Sequence, residues 1–108
     1  MTGSLGDMGN LLRQAQEMQR ELDRVREELK TRTVEGTAGG GVVRIEMSVD
    51  RQDVQKVEIA PDVLKSGDKD LIEDLVLTAL RDALKKAGLL ANEAMSKVTG
   101  GLNLPGLF

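Results

Sequence analysis

Between Met8 and Leu29 the apolar residues Met8, Leu11, Ala15, Met18, Leu22, Val25 and Leu29 recur at spacings of 3, 4, 3, 4, 3 and 4. That is a heptad seam on one long helix, and no other feature of the chain constrains its fold as tightly. At about 1.5 Å per residue, a helix from Met8 to Lys30 reaches roughly 35 Å. A small sheet cannot cover that length, so part of the helix must project or pair with another helix. Asp7 is placed to cap it, and residues 1–7, with Gly3, Ser4 and Gly6, read as a flexible start.

Helical spacing stops at Thr31. The next stretch, Thr31 to Ala38, is rich in β-branched residues and reads as a strand, followed by a turn at Gly39-Gly40-Gly41. Val43, Ile45, Met47 and Val49 then alternate with Arg44, Glu46, Ser48 and Asp50. This period of two marks a strand with one apolar and one wet face. Arg51-Gln52-Asp53 makes a polar turn. Val57 and Ile59 form a third strand with which Val54 is out of step, so a bulge or longer turn is expected before Val57. Pro61 ends that strand. Asp68 is placed to cap a second long helix, whose broad stripe runs from Ile72 through Leu75, Val76, Ala79, Leu80 and Ala83 to Ala94. Gly88 marks a bend in it and Gly100-Gly101 a stop. The order helix, three antiparallel strands, helix makes one two-layer α+β domain over residues 8–101, with an irregular tail at 102–108.

Composition narrows the function. The 108 residues carry 15 Lys plus Arg against 18 Asp plus Glu, a formal net charge of −3, and contain neither Cys nor His. Thiolate and imidazole chemistry are therefore absent, and with them the usual nucleophiles, general bases and metal ligands. Neighbouring carboxylates such as Glu27-Glu28 and Glu73-Asp74 point to different helix faces, and no loop has EF-hand spacing. The Gly36–Gly41 run leads into a strand, not into a helix N-terminus, so it reads as a hairpin turn and not as a phosphate-cradling loop. The expectation is no enzyme, no cofactor, no metal and no small-molecule substrate. No apolar run has membrane-spanning length and the first nine residues are unlike a secretory signal, so a cytoplasmic protein is expected. A core this small, filled by aliphatic residues and Met alone, favours association of two copies.

Several segments in this order carry a resemblance: Met8-Gly-Asn-Leu-Leu-Arg-Gln-Ala-Gln-Glu-Met18, Val34-Glu-Gly-Thr-Ala-Gly-Gly-Gly-Val-Val43, Leu71-Ile-Glu-Asp-Leu75, Asp82-Ala-Leu-Lys-Lys86 and Met95-Ser-Lys-Val-Thr-Gly-Gly101. Together with the α-β-β-β-α order, they resemble the YbaB/EbfC family of bacterial nucleoid-associated proteins. The resemblance implies a tweezer-like homodimer, located in the nucleoid, that binds duplex DNA with its first helices as arms and takes part in nucleoid organisation and gene regulation. Two positions depart from the family pattern. Asp50-Arg-Gln-Asp53 stands where an Asn-Gly turn is common, and Ile59-Ala60-Pro61 where Ile-Asp-Pro is usual.

The candidate DNA contacts are Arg13, Arg20 and Arg24 on one outer face of the first helix, with Arg26, Lys30 and Arg32 near its end. Guanidinium and ammonium groups neutralise phosphates and release counterions. The same residues also admit a bland reading, since Glu17, Glu21, Glu27 and Glu28 interleave with them and can form i,i+4 pairs. Ile72, Leu75, Val76, Ala79, Leu80 and Ala83, with the sheet, are the candidate dimer surface. A different reading is a protein–protein adaptor whose seam residues Met18, Leu22, Val25 and Leu29 grip a partner helix.

Overall fold

The computed structural model describes residues 2–100, with side chains from residue 6 onward. The tail expected to be irregular, residues 102–108, lies outside the described residues. Helix α1 spans Thr2–Thr31, so it begins upstream of the expected Asp7 cap. Gly3 and Gly6 lower local helix propensity without ending the helix.

Three antiparallel strands follow in the order β1-β2-β3: β1 Thr33–Ala38, β2 Val43–Ser48 and β3 Val54–Ile59. The β1–β2 turn uses Gly39, Gly40 and Gly41, all at positive φ (61°, 75° and 100°), which L side chains rarely adopt. Between β2 and β3 the residue in the left-handed region is Arg51, at φ 64°. That turn is built by side chains: the Ser48 hydroxyl donates to Asp50 and accepts from the Asp53 N–H, while Asp50 Oδ1 accepts from the Gln52 N–H. The two hydrogen bonds it accepts hold the Asp50 carboxyl below the ordinary carboxylate range, the Ser48 hydroxyl contributing most. Register slips between Glu46↔Lys56 and Met47↔Val54, so β3 carries an extra residue at Gln55. This is the irregularity expected ahead of Val57.

Pro61 then opens a single helical turn that the sequence pattern did not announce, α2 over Pro61–Lys65, with proline at the position whose N–H needs no partner. Helix α3 spans Lys69–Thr99, and Asp68 caps it by accepting from the Leu71 N–H at 3.1 Å. It continues through Gly88 without interruption.

Two apolar clusters divide the core. In the first, Ala79, Ala83 and Ala87 of α3 lie against Ala38, Val43, Ile45 and Met47 of the sheet. Four alanines one helical turn apart (Ala79, Ala83, Ala87, Ala91) let the helix backbone sink onto the strands. The approach is closest at Gly36: a Cβ there would run into the Ala79 carbonyl oxygen and lie 2.6 Å from Ala83 Cβ. In the second cluster, Val25 and Leu29 of α1 meet Val49 and the outer part of α3, through Leu90, Ala91, Ala94, Met95 and Val98. Helices α1 and α3 therefore leave the same end of the sheet in opposite chain directions, and the molecule extends to 77 × 25 × 16 Å. Among the described residues no helix is long and apolar enough to cross a membrane.

Candidate nucleic-acid interface

The seam of α1 is covered at one end and bare at the other. Val25 and Leu29 are each only 4% exposed, because α3 and the sheet edge pack on them. Upstream, Met8 (65%), Leu11 (63%) and Leu12 (61%) face solvent. The helix thus projects past its packing partner as an arm, which is the outcome its length demanded.

All six candidate cationic residues are exposed, yet they fall into two groups. Arg24 forms ion pairs with both Glu21 and Glu28, the latter at 2.6 Å. Arg26 meets Asp23 at 3.4 Å and Lys30 meets Glu27 at 2.8 Å. These pairs raise Arg24 further above its already high range, through Glu21 first, and raise Lys30 through Glu27. They pull Glu21 down through Arg24. Arg13, Arg20 and Arg32, by contrast, make no ion pair or side-chain hydrogen bond among the described residues.

Placement separates them further. At 100° per residue, Arg13, Arg20 and Arg24 fall within about 40° of one another, opposite the seam. Arg26 sits beside the seam, and Lys30 between the two faces. Arg32 follows the helix and, with Arg24, Glu28, Glu93 and Lys97, lines a cleft between α1 and α3. The structure therefore gathers Arg13, Arg20 and Arg24 into one row, brings Arg32 to the cleft that Arg24 also lines, and sets Arg26 and Lys30 apart.

The candidate dimer residues also divide. Ala79 and Ala83 are fully buried under the chain's own sheet, so they are core of the single chain and offer nothing to a second copy. The reason is Gly36, whose missing side chain brings β1 down onto them. Ile72, Leu75, Val76 and Leu80 are half-buried. Sequence reasoning offered the whole sheet and a broad stripe of α3, Leu80 included, as dimer surface and did not single out β3. Helix α3 covers β1 and β2, and Val54 (53%) and Val57 (51%) on the inner face of β3 stay open. Leu77 and Leu84 are exposed too, on the α3 flank turned away from β1. The signal was present: a third alternating strand with no third helix to cover it.

The two sheet edges are unlike. Along β1, the outward Thr37 N–H donates to Asp82 Oδ2 at 2.9 Å and the Glu35 carbonyl accepts from Lys86 Nζ at 3.0 Å. Asp82 and Lys86 also pair with each other at 2.9 Å. The Asp82 carboxyl is consequently held below its usual range, by Lys86 first and the Thr37 N–H second. Side chains thus occupy two of β1's outward backbone groups, which hinders pairing along that edge. The outer face of the sheet is charged, with Arg44 near Glu35 and Lys56 paired with Glu58. Among the described residues no group of His, Cys, Asp or Glu is arranged to hold a metal ion.

Comparison with known proteins agrees with this architecture. A crystal structure of an uncharacterized protein from Helicobacter pylori superposes with a TM-score of 0.59, covering 82% of this chain and 96% of that one at 19% identity, and so shares the fold. A nucleoid-associated protein of Acetivibrio thermocellus is 45% identical over 95% of this chain and 91% of its own length. A nucleoid-associated protein of Chloroflexus aggregans is 47% identical over 91% of this chain and 95% of its own. The model of the YbaB/EbfC DNA-binding family matches residues 5–102. With the arm, the three-stranded sheet and these relatives in agreement over nearly the whole length, the chain belongs to the YbaB/EbfC DNA-binding family.

Proposed function

We propose that this chain binds duplex DNA as a homodimer, chiefly through phosphate contacts from the α1 arms, and that this binding serves nucleoid organisation and gene regulation. The observation that carries the reading is the row of arginines on a projecting helix in a DNA-binding family. A net charge of −3 does not oppose it. Contact affinity depends on charges within a Debye length of ~8–10 Å, and Arg13 and Arg20 stand on the stretch of α1 upstream of its packing on α3. Arg13 and Arg20 are the leading contacts because no carboxylate engages them. Arg24 joins them by exchanging its glutamates for phosphate, at small cost because solvent screens exposed pairs. Arg26, Lys30 and Arg32 are secondary. Phosphate contacts position a protein without reading sequence, so unrelated duplexes should bind alike.

The test is a salt titration on random duplex with the double variant Arg13→Glu, Arg20→Glu. The log of affinity should fall linearly with the log of salt concentration. The variant should bind at least about tenfold more weakly, with a slope shallower by about 1 for each phosphate it no longer neutralises. Unchanged mobility-shift midpoints would reject α1 as the DNA-binding element.

The proposed dimer uses the apolar ground beside β3: Val54 and Val57, with Leu77, Leu80 and Leu84 of α3. Its support is the contrast between an edge occupied by Asp82 and Lys86 and one with open valines. A two-fold contact is self-complementary and doubles the arginine row. Val57→Lys should halve the mass measured in solution and leave the helical circular-dichroism signal intact. A native chain of monomer mass would rule the dimer out.

A further inference from the structure

The bare end of α1 is apolar over Met8, Leu11, Leu12 and Ala15, and at 100° per residue the amides Gln14 and Gln16 flank it. Further along the same helix the flanks are charged and the seam is covered. Cover is therefore missing where the surface is least suited to water. Helix α3 supplies the cover as far as Val98. Gly100 keeps helical dihedrals (φ −61°, ψ −25°), so the chain leaves α3 still travelling along the helix axis. Because α3 runs antiparallel to α1, that direction leads along the bare stripe.

The sequence next in line is Leu102-Asn-Leu-Pro-Gly-Leu-Phe108, apolar at Leu102, Leu104, Leu107 and Phe108. Extended, seven residues reach roughly 23 Å, whereas Met8 to Met18 spans about 15 Å of helix. The reach suffices, and tethering to α3 gives the segment an effective concentration in the millimolar range against its own α1. We propose that residues 102–108 dock on the Met8–Ala15 face of the same chain's α1, continuing the α1–α3 pairing outward. Docking stiffens the stretch that bears Arg13. The assignment does not depend on what α1 grips.

The chain has no Trp, so Phe108→Trp in the otherwise intact protein provides a single indole reporter. Its emission should be blue-shifted relative to the same protein in denaturant. It should move red when Met8→Asn and Leu11→Asn are added, substitutions at exposed positions away from both core clusters. Mixing the Trp-labelled chain with excess unlabelled Met8→Asn, Leu11→Asn chain should leave the blue-shifted emission unchanged. A red shift on mixing would mean that the segment crosses to a second copy, overturning docking within one chain. Hydrogen exchange supplies an independent readout. Amides 8–18 should exchange about tenfold faster when residues 102–108 are removed. A fully hydrated indole in the intact protein, or exchange unaffected by the truncation, would overturn the proposal.

Discussion

Leu29 and Leu11 occupy the same seam of the same helix, and one is buried while the other is 63% exposed. Heptad spacing recorded which face of α1 is apolar, and it did so correctly along the whole run. It could not record how far the neighbour extends. At the sheet end, α3 and Val49 close over the seam. At the free end the same pattern continues past them. The comparison teaches that this small chain separates its tasks in space. Folding is secured where α3 crosses β1 and β2 and where it grips the base of α1, while the cations face outward on a rod whose far half adds little to the core.

The harshest way to probe the sheet end is Gly36→Ala. The added Cβ meets the α3 backbone at Ala79 and Ala83, atoms that cannot rotate away as a side chain would. Overpacking of this kind costs typically 1–3 kcal/mol, and a backbone obstacle places it at about 3 kcal/mol or more. Urea unfolding of the variant should show a large fall in midpoint. A midpoint within error of the native one would mean that β1 and α3 are not so closely set.

The pair Leu29→Ala and Leu11→Ala sharpens the comparison directly. The first removes a buried side chain and should cost about 2–4 kcal/mol in the same urea assay. The second removes an exposed one and should cost less than about 1 kcal/mol. Equal costs would mean that the arm is as deeply packed as its base, and the division drawn between the two ends would fall.

The parts legible in the sequence were those governed by local periodicity. The 3-4 spacing placed α1 and α3, the alternation at Val43, Ile45 and Met47 placed β2, and the phase slip at Val54 marked the bulge. Asp68 was readable as a cap because that chemistry is local. The start of α1 at Thr2 was missed because glycine weakens a helix without forbidding it. Closeness between distant residues was also illegible. Nothing near Gly36 announces that Ala79 and Ala83 will meet it, so two alanines of the chain's own core were read as dimer surface. The site was half legible for a related reason. Spacing shows that arginines and glutamates can pair, but not that Arg24 takes two partners and Arg20 none.

Asp82 offers the smallest effect and the finest discrimination between the two ends. Its carboxylate joins α3 to β1, accepting from Lys86 and from the Thr37 N–H. The Glu21 carboxylate, on the arm, pairs with Arg24 one turn away on its own helix. Both carboxyls are held below their ordinary values. A lowered carboxyl adds stability above its unfolded pKa, near 3.9 for Asp and 4.3 for Glu, and loses it as pH falls through the lower folded value. Asp82→Asn should therefore be less stable than the native chain at pH 7. The gap should narrow as pH drops below about 4 and close once the native carboxyl is protonated. Glu21→Gln should show a smaller gap over a similar range, since both partners lie on one exposed helix and such pairs add little to global stability. Chemical denaturation of both variants between pH 2 and pH 7 reads the difference. A larger pH-dependent loss from Glu21→Gln than from Asp82→Asn would reverse the assignment of stability to the sheet end and place it on the arm.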